Sequence, residues 1–408
     1  MDLQTEYFDD GSSFQAIDPL MLNPDHLSNI SIFERFPKKN NTYRFRCLIT
    51  DTGSMETEKL SRLLKSWEII YVHKKHLGNY NAHIKDNLGY ILRHETIDVK
   101  KKTAIFTRVS TEIIKGVFNI QLHKAGPGPD ALKQVEKLIS NAIEFITDTG
   151  SLNGLADLIG HDYDTHTHSI KVAWLVAAFI NNNRDLFPKQ SDADFQQFLI
   201  KAAVAGLLHD IGKTKIPKNI LNKKGRLNNL EYITVQSHSA YSISLLFEGG
   251  FPTYALQAIL YHHENEDGSG YPCGLKNDGI PLVAKITHIA DVFEALTAKR
   301  PYKAPKSPFE ALRIMSGRNP HAETLSHFEK EARENAKAPI ETIVRNEPDI
   351  KRRRLREKEM MEEEAQKRVE ARLILRDRGM AHCFDEDLMK RFIMTMNQSS
   401  SFNFSGLL

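Results

Sequence analysis

Gly206-Leu-Leu-His209-Asp210-Ile-Gly212-Lys213 is an apolar helical turn that finishes in an imidazole, a carboxylate and an ammonium. Backwards from His209, the residues Phe195, Leu199, Ala202 and Gly206 recur at spacings of three and four, which puts His209 on the stripe that such a helix buries. Gly212 is placed to stop the helix. A carboxylate beside an imidazole at the end of a buried stripe has to be paired or to bind a cation, because a bare charge there is strongly disfavoured. Taken alone, the pair reads more readily as a core histidine with an N-cap-like aspartate. The rest of the chain overturns that reading.

Upstream, Asp164, His168, Val172, Leu175 and Phe179 follow at spacings of four and three, so one helical face carries a carboxylate and an imidazole and then turns apolar. Downstream, His238 falls on a helical pattern between Leu230 and Leu245. Tyr261-His262-His263-Glu264 closes a helix carrying Ala255 and Ile259, and Asp291 sits in Ile286-Thr-His-Ile-Ala-Asp291-Val-Phe-Glu-Ala-Leu296, which is apolar almost all round. One polar residue in a core is ordinary; five helices each presenting a His or Asp inward call for a metal site built from side chains on facing helices. Imidazoles with carboxylates and no thiolate suit iron, manganese or zinc, and a shared aspartate such as Asp210 can bridge two ions. At least two metals are expected.

His209-Asp210-Ile-Gly-Lys213 with Ile216-Pro217, then His262-His263-Glu264-Asn-Glu-Asp267-Gly268-Ser-Gly270-Tyr271-Pro272, closely resemble the signature of HD-GYP phosphodiesterases. The resemblance continues through Ile280-Pro281, Ala290-Asp291-Val-Phe and Arg300-Pro-Tyr-Lys303, covers roughly residues 150 to 316, and resumes at Cys383-Phe-Asp-Glu-Asp-Leu. It implies a helical HD-type fold around two or three divalent ions, commonly iron or manganese. The implied substrate is cyclic di-GMP, opened to pGpG and often cut further to GMP. Carried over residue by residue, the ligands are His168, His209, Asp210, His238, His262, His263 and Asp291. Asp164 stands where trinuclear members carry an additional acidic ligand, often Glu, and leaves a third metal plausible.

The chemistry also follows from first principles. Two cations close together acidify a bridging water and hold a phosphodiester for in-line attack, with Asp210 as the shared ligand. Lys213 then binds non-bridging phosphate oxygens, the alternative being a solvated helix-end lysine. Arg300 and Lys303, in a proline-punctuated loop, are expected by resemblance to contact the ligand's phosphate or guanine, and Tyr271 offers it a rigid aromatic; each charge could equally be a surface residue. The family's Gly-Tyr-Pro loop also meets partners such as diguanylate cyclase domains. His161, His166 and His288 lie near ligand positions without matching the family set, and read as core histidines or as supports for the ligands.

Around this region the chain divides into a small α+β regulatory domain over 1–96, a helical linker over 97–149, an all-α catalytic domain over 150–316 and 381–398, and a charged helical insertion over 317–380. The first domain is read from strand-like Tyr43–Ile49 and Glu68–Val72 and helix-like Thr57–Ser66. In the linker, Asp130 is expected to cap a helix with Leu132, Val135, Leu138, Ile139, Ala142 and Ile146 on one face. The insertion contains Lys351-Arg-Arg-Arg-Leu-Arg-Glu-Lys-Glu and pairs such as Glu363 with Lys367, which make a solvated helix; a partner-binding or homodimerising helix is the alternative.

With 55 Lys+Arg against 52 Asp+Glu there is no overall basic field pointing to nucleic acid. The longest apolar run, Val172–Ile180, is far too short for a bilayer, and the N-terminus has no leader pattern, so a cytoplasmic protein without a membrane partner is expected. Cys47, Cys273 and Cys383 form no motif, in agreement with a reducing compartment. The sequence thus reads as a metal-dependent cyclic di-GMP phosphodiesterase. Alternatives are an enzyme for another cyclic dinucleotide such as cyclic GMP-AMP, a non-hydrolysing sensor or partner-binding module, and a general HD-type nucleotidase.

Overall fold

The computed structural model describes residues 6–27, 29–38, 42–50, 56–119, 126–159, 165–223, 225, 227–299, 304–317, 379–402, 404 and 407. Asp164, Arg300, Lys303, His161 and nearly all of the charged insertion lie outside them. The chain divides into two compact units: Met1–Ile113 with Lys137–Gly154, and Ile114–Glu136 with Leu155–Leu408.

The first unit holds an antiparallel five-stranded sheet of β1 (Glu6–Asp9), β2 (Phe14–Ile17), β3 (Ile32–Pro37), β4 (Tyr43–Ile49) and β5 (Ile70–His73), in the order β1-β4-β3-β5-β2. Register pairs Phe33 with both Cys47 and Tyr71, and Phe14 with His73. One sheet face therefore gathers Phe14, Phe33, Phe45 and Tyr71 into an aromatic core, with the Phe14 and Phe45 rings stacked 3.8 Å apart. Strands β1, β2 and β5 carry only four residues each, too few to show a period; the sequence reveals β5 through the unbroken run Ile69-Ile70-Tyr71-Val72, and β4 because it runs for seven residues.

Helices α1 (Thr57–Lys65), α2 (Leu77–Asp86) and α3 (Leu88–Arg93) cover this unit. Their core is mostly aliphatic but includes His83, whose Nε2 accepts the Asn23 backbone N–H at 3.0 Å, and Asn87, which bonds both Asn23 and the His83 carbonyl. Helices α4 (Val99–Val117), α5 (Pro129–Thr147) and α6 (Ser151–Leu158) contribute residues to both units. Helix α5 begins one residue before the expected cap. Pro129 takes its first position, where a missing N–H removes no helical bond, and Asp130 falls in the first turn instead of capping it.

The second unit is helical: α7 (Thr165–Asn182), α8 (Asp192–Leu208), α9 (Lys218–Leu221), α10 (Asn229–Gln236), α11 (His238–Leu246), α12 (Thr253–Tyr261), α13 (Leu282–Thr297), α14 (Pro308–Met315) and α15 (Glu386–Met396). Every residue of α7 from His168 to Ile180 is buried, so this helix is the hub on which α8 and α13 pack. Helix α8 approaches it closely at Gly206, where a Cβ would meet the Ala173 Cα at 3.3 Å. Ser191 caps α8 by accepting the Asp194 N–H, and Asp192 and Asp194 favour its positive end.

Two local expectations are corrected. The pattern from Leu230 to Leu245 is two helices: Ser237 bonds back to Ile233 and Val235 and tightens the end of α10, so His238 opens α11 instead of lying inside a helix. Gly212 does not end α8, which already stops at Leu208; it lies inside the 3-10 turn Ile211–Lys215. That turn presses on α11 so tightly that a Cβ at Gly212 would stand 1.9 Å from the His238 carbonyl.

Candidate metal centre

Helix α7 brings His168 to the centre of the helical unit, the end of α8 brings His209 and Asp210, the start of α11 brings His238, the end of α12 brings His262 and His263, and α13 brings Asp291. They form two groups. Asp210, His238, His262 and His263 offer ligand atoms within 4.8 Å of one another, and so do His168, His209 and Asp291. All but His263 are buried. Among the described residues, every ligand expected from the sequence reaches this cluster.

The two aspartates join the groups. Asp210 Oδ1 faces His238 Nε2 at 3.2 Å and His262 Nε2 at 4.0 Å, while its Oδ2 faces His209 Nε2 at 3.3 Å and His168 Nε2 at 3.5 Å. Asp291 mirrors it, with Oδ1 at 3.3 Å from His168 Nε2 and Oδ2 at 3.8 Å from His263 Nδ1. Each carboxylate thus has one oxygen for each half of the site.

The imidazoles are oriented by their outer nitrogens. His209 Nδ1 donates to the Gly206 carbonyl, His238 Nδ1 to Val235 and His262 Nδ1 to Ile259, each at 2.7 Å. His168 Nδ1 donates to Glu294 Oε2 at 2.5 Å. Carbonyl and carboxylate oxygens only accept, so in the neutral rings all four protons lie on Nδ1 and all four Nε2 lone pairs point inward. There they face one another, at 3.3 Å between His168 and His209 and 3.4 Å between His238 and His262. Lone pairs crowded against carboxylates repel unless cations lie between them. Asp210 Oδ1, fully buried, accepts no hydrogen bond although His238 Nε2 stands close by. These donors and tautomers fit divalent metal ions.

Electrostatics agree. Burial works to raise the Asp210 carboxyl, but the Lys213 ammonium beside it holds it well below the usual carboxylate range. Burial, followed by the neighbouring His263, His209 and His238 rings, drives His262 well below the usual histidine value, which keeps it a neutral ligand.

Lys213 lies one turn beyond Asp210 with its Nζ 2.5 Å from Oδ2, on the exposed side of the cluster. Tyr271 lies tilted against His263, ring centroids 4.7 Å apart and planes 33° apart, and forms one wall of the centre. His166 packs edge-on against Phe118 and is not among the cluster's ligands; His288 lies behind His262 and donates Nδ1 to its carbonyl at 2.7 Å.

Two functional residues escaped the sequence reading. Glu294 anchors His168 and is itself held by Lys171 Nζ at 3.1 Å, a buried pair inside the hub. The available signal was its place three residues after Asp291 on a helix otherwise apolar. Glu264, quoted only as part of a motif, is 1% exposed and accepts the N–H groups of Cys273, Gly274 and Leu275 at 2.7, 3.1 and 2.9 Å. It thereby folds the Gly-Tyr-Pro loop around its own carboxylate. Gly270 completes the turn, since a Cβ there would lie 2.4 Å from the Asn265 backbone nitrogen.

The HD domain family model matches residues 188–322. The chain is 35% identical over 172 residues to a cyclic di-GMP phosphodiesterase of Pseudomonas aeruginosa, covering 42% of this chain and 39% of that protein. It is 35% identical over 193 residues to a cyclic di-GMP phosphodiesterase of Thermotoga maritima, 46% of this chain and 49% of that one. It is also 44% identical over 135 residues to a 3'3'-cGAMP-specific phosphodiesterase of Vibrio cholerae, 32% of this chain and 28% of that one. The chain spans less than half the length of these curated relatives. The match takes in the His209-Asp210 pair together with His238, His262, His263 and Asp291, and leaves His168 outside it.

Proposed function

We propose that the chain is a metal-dependent phosphodiesterase that opens cyclic di-GMP to pGpG, by adding water across one phosphodiester and breaking its P–O3′ bond. Cleavage of the remaining phosphodiester would give GMP. The observation that carries this reading is the pair of His-Asp groups sharing Asp210 and Asp291, with four imidazoles turned inward by their Nδ1 bonds. The similarity to proteins named as cyclic di-GMP phosphodiesterases supports the substrate class.

Two divalent ions, iron or manganese, would be held by His168, His209 and Asp291 on one side and by His238, His262 and His263 on the other, with Asp210 between. When bound, such ions acidify water and offset phosphate charge. The chain's residues do the rest. Asp210 and Asp291 fix the spacing of the two halves, and Glu294 holds His168 in its ligating tautomer. Lys213 swings from Asp210 to a phosphate oxygen and offsets the negative charge that grows there. Tyr271 excludes water beside His263 and offers a face to a guanine base. Arg300 and Lys303 are assigned to substrate phosphate or guanine, and Asp164 to a third ion. The Gly-Tyr-Pro loop would offer a surface to diguanylate cyclase domains.

Similarity to a 3'3'-cGAMP-specific enzyme favours one second reading, in which the mixed dinucleotide is preferred. Anaerobic incubation of manganese-loaded protein with each dinucleotide, followed by chromatography, separates the two. Faster loss of cyclic di-GMP, with pGpG appearing, is the expected result. Faster loss of the mixed dinucleotide moves the assignment to it, and no product from either refutes the enzyme reading.

A further inference from the structure

We propose that His288 is a positioning residue for the ligand pair His262 and His263, and that the segment Cys383–Asp385 locks it in place. The inference rests on the reading of the cluster as a metal centre.

Consecutive ligands on one backbone pose a geometric problem. His262 directs Nε2 toward Asp210 Oδ1, at 4.0 Å, whereas His263 directs Nδ1 toward Asp291 Oδ2, at 3.8 Å. Both side chains belong to one half of the cluster but meet different aspartates, and the two rings, with centroids 4.0 Å apart, are inclined at 44°. A single planar peptide joins their Cα atoms, so its orientation sets how the two rings are aimed relative to each other. His262 lies past the last residue of α12, and no later turn of that helix fixes its carbonyl. His288 does, by donating Nδ1–H to the His262 oxygen at 2.7 Å. The next carbonyl, of His263, accepts the Tyr271 N–H at 3.1 Å. Both carbonyls of the pair are therefore tied, one to α13 and one to the Gly-Tyr-Pro loop.

His288 makes no hydrogen bond through Nε2, which is buried. Burial is also what keeps the ring neutral, its basicity lowered from the ordinary histidine value. The ring is located by packing: Phe384 lies against it with centroids 5.0 Å apart and planes 33° apart. Phe384 is fixed in turn by polar contacts on both sides. Lys285, three residues before His288 on α13, pairs with Glu266 at 2.7 Å and with Asp385 at 3.2 Å, and its side chain is only 10% exposed. The Glu266 N–H donates to the Cys383 carbonyl at 3.2 Å. Glu266 follows the ligand pair by three residues, so the clamp holds the chain just beyond His263 as well as the carbonyl before it. Residues 285, 288 and 291 thus put clamp, positioning ring and metal ligand on successive turns of one helix.

A donor role and a space-filling role part company in substitution. In His288→Asn the side-chain amide nitrogen takes the place of Nδ1 and keeps the bond, whereas His288→Leu keeps apolar bulk and loses the donor. Phe384→Leu loosens the ring without touching a ligand. The experiment is equilibrium dialysis of anaerobic Mn2+ against the full chain and each variant, with thermal melting of the EDTA-treated proteins alongside. The expected result is Mn2+ affinity near wild type for His288→Asn and weaker by about 10–100-fold for His288→Leu, the range for loss of a group that orients a ligand, with Phe384→Leu between. Wild-type affinity in His288→Leu, or equal weakening in His288→Asn and His288→Leu, would overturn the proposal. Absence of Mn2+ binding by the wild type would instead overturn the reading of the metal centre, and this inference with it.

Discussion

At the scale of single residues, the centre depends on groups that touch no substrate. Glu294 and Lys171 are each about 3% exposed in their side chains, and each is the other's charge partner. Removing one strands the other: Glu294→Leu should destabilise the protein by about 3–5 kcal/mol, measured by urea denaturation of the metal-free form. The double change Lys171→Met with Glu294→Leu should regain most of that loss while still weakening metal binding by about 10–100-fold, because His168 has lost its anchor. His83 provides a test away from the centre. Burial holds its folded value below the usual 6.5, whereas in the unfolded chain it protonates as the pH falls through 6.5. The unfolded chain therefore binds the additional proton, and stability falls with pH by up to about 1.4 kcal/mol per unit below 6.5 and is unaffected above it. His83→Gln keeps an acceptor for the Asn23 N–H and cannot titrate, so its melting temperature should drop less than wild type between pH 7 and pH 5.5.

Among elements, the tightest constraint is where the 3-10 turn after α8 meets α11. The Gly212 N–H donates to Ser242 Oγ at 2.8 Å, and that hydroxyl donates to the His209 carbonyl at 3.0 Å, so one serine ties the His209-Asp210 turn to the helix that begins with His238. Gly212→Ala would force these elements apart; it should lower the melting temperature by several degrees and cut metal affinity by at least about tenfold, read by calorimetry and by dialysis. The sequence made the ligands legible because each interrupts or borders an apolar helical stripe, where a His or Asp is conspicuous. It hid what orients them. Three of the four Nδ1 bonds run to backbone carbonyls one turn back, which any residue supplies, and Gly212 looked like a helix stop because a close approach and a left-handed cap call for the same residue. Strands β1 and β2 were illegible for another reason: four residues without an unbroken β-branched and aromatic run like that of β5 carry no signal, and their place comes from pairing with distant β4 and β5.

For the whole molecule, the helical unit concentrates buried carboxylates and lone pairs that only cations can reconcile, so metal and fold should be coupled. Adding Mn2+ at about a hundredfold excess over its dissociation constant should stabilise this unit by about 2.7 kcal/mol, visible as a rise in its calorimetric transition, while the sheet-containing unit melts unchanged. No helix among the described residues is long and apolar enough to cross a membrane. The most direct measurement is elemental analysis of anaerobically reconstituted wild type and Asp210→Ala. Two or more iron or manganese ions per chain in the wild type, with at most one retained in Asp210→Ala, is the predicted result. One ion or none in the wild type, or an undiminished count in the variant, would contradict a centre bridged by Asp210.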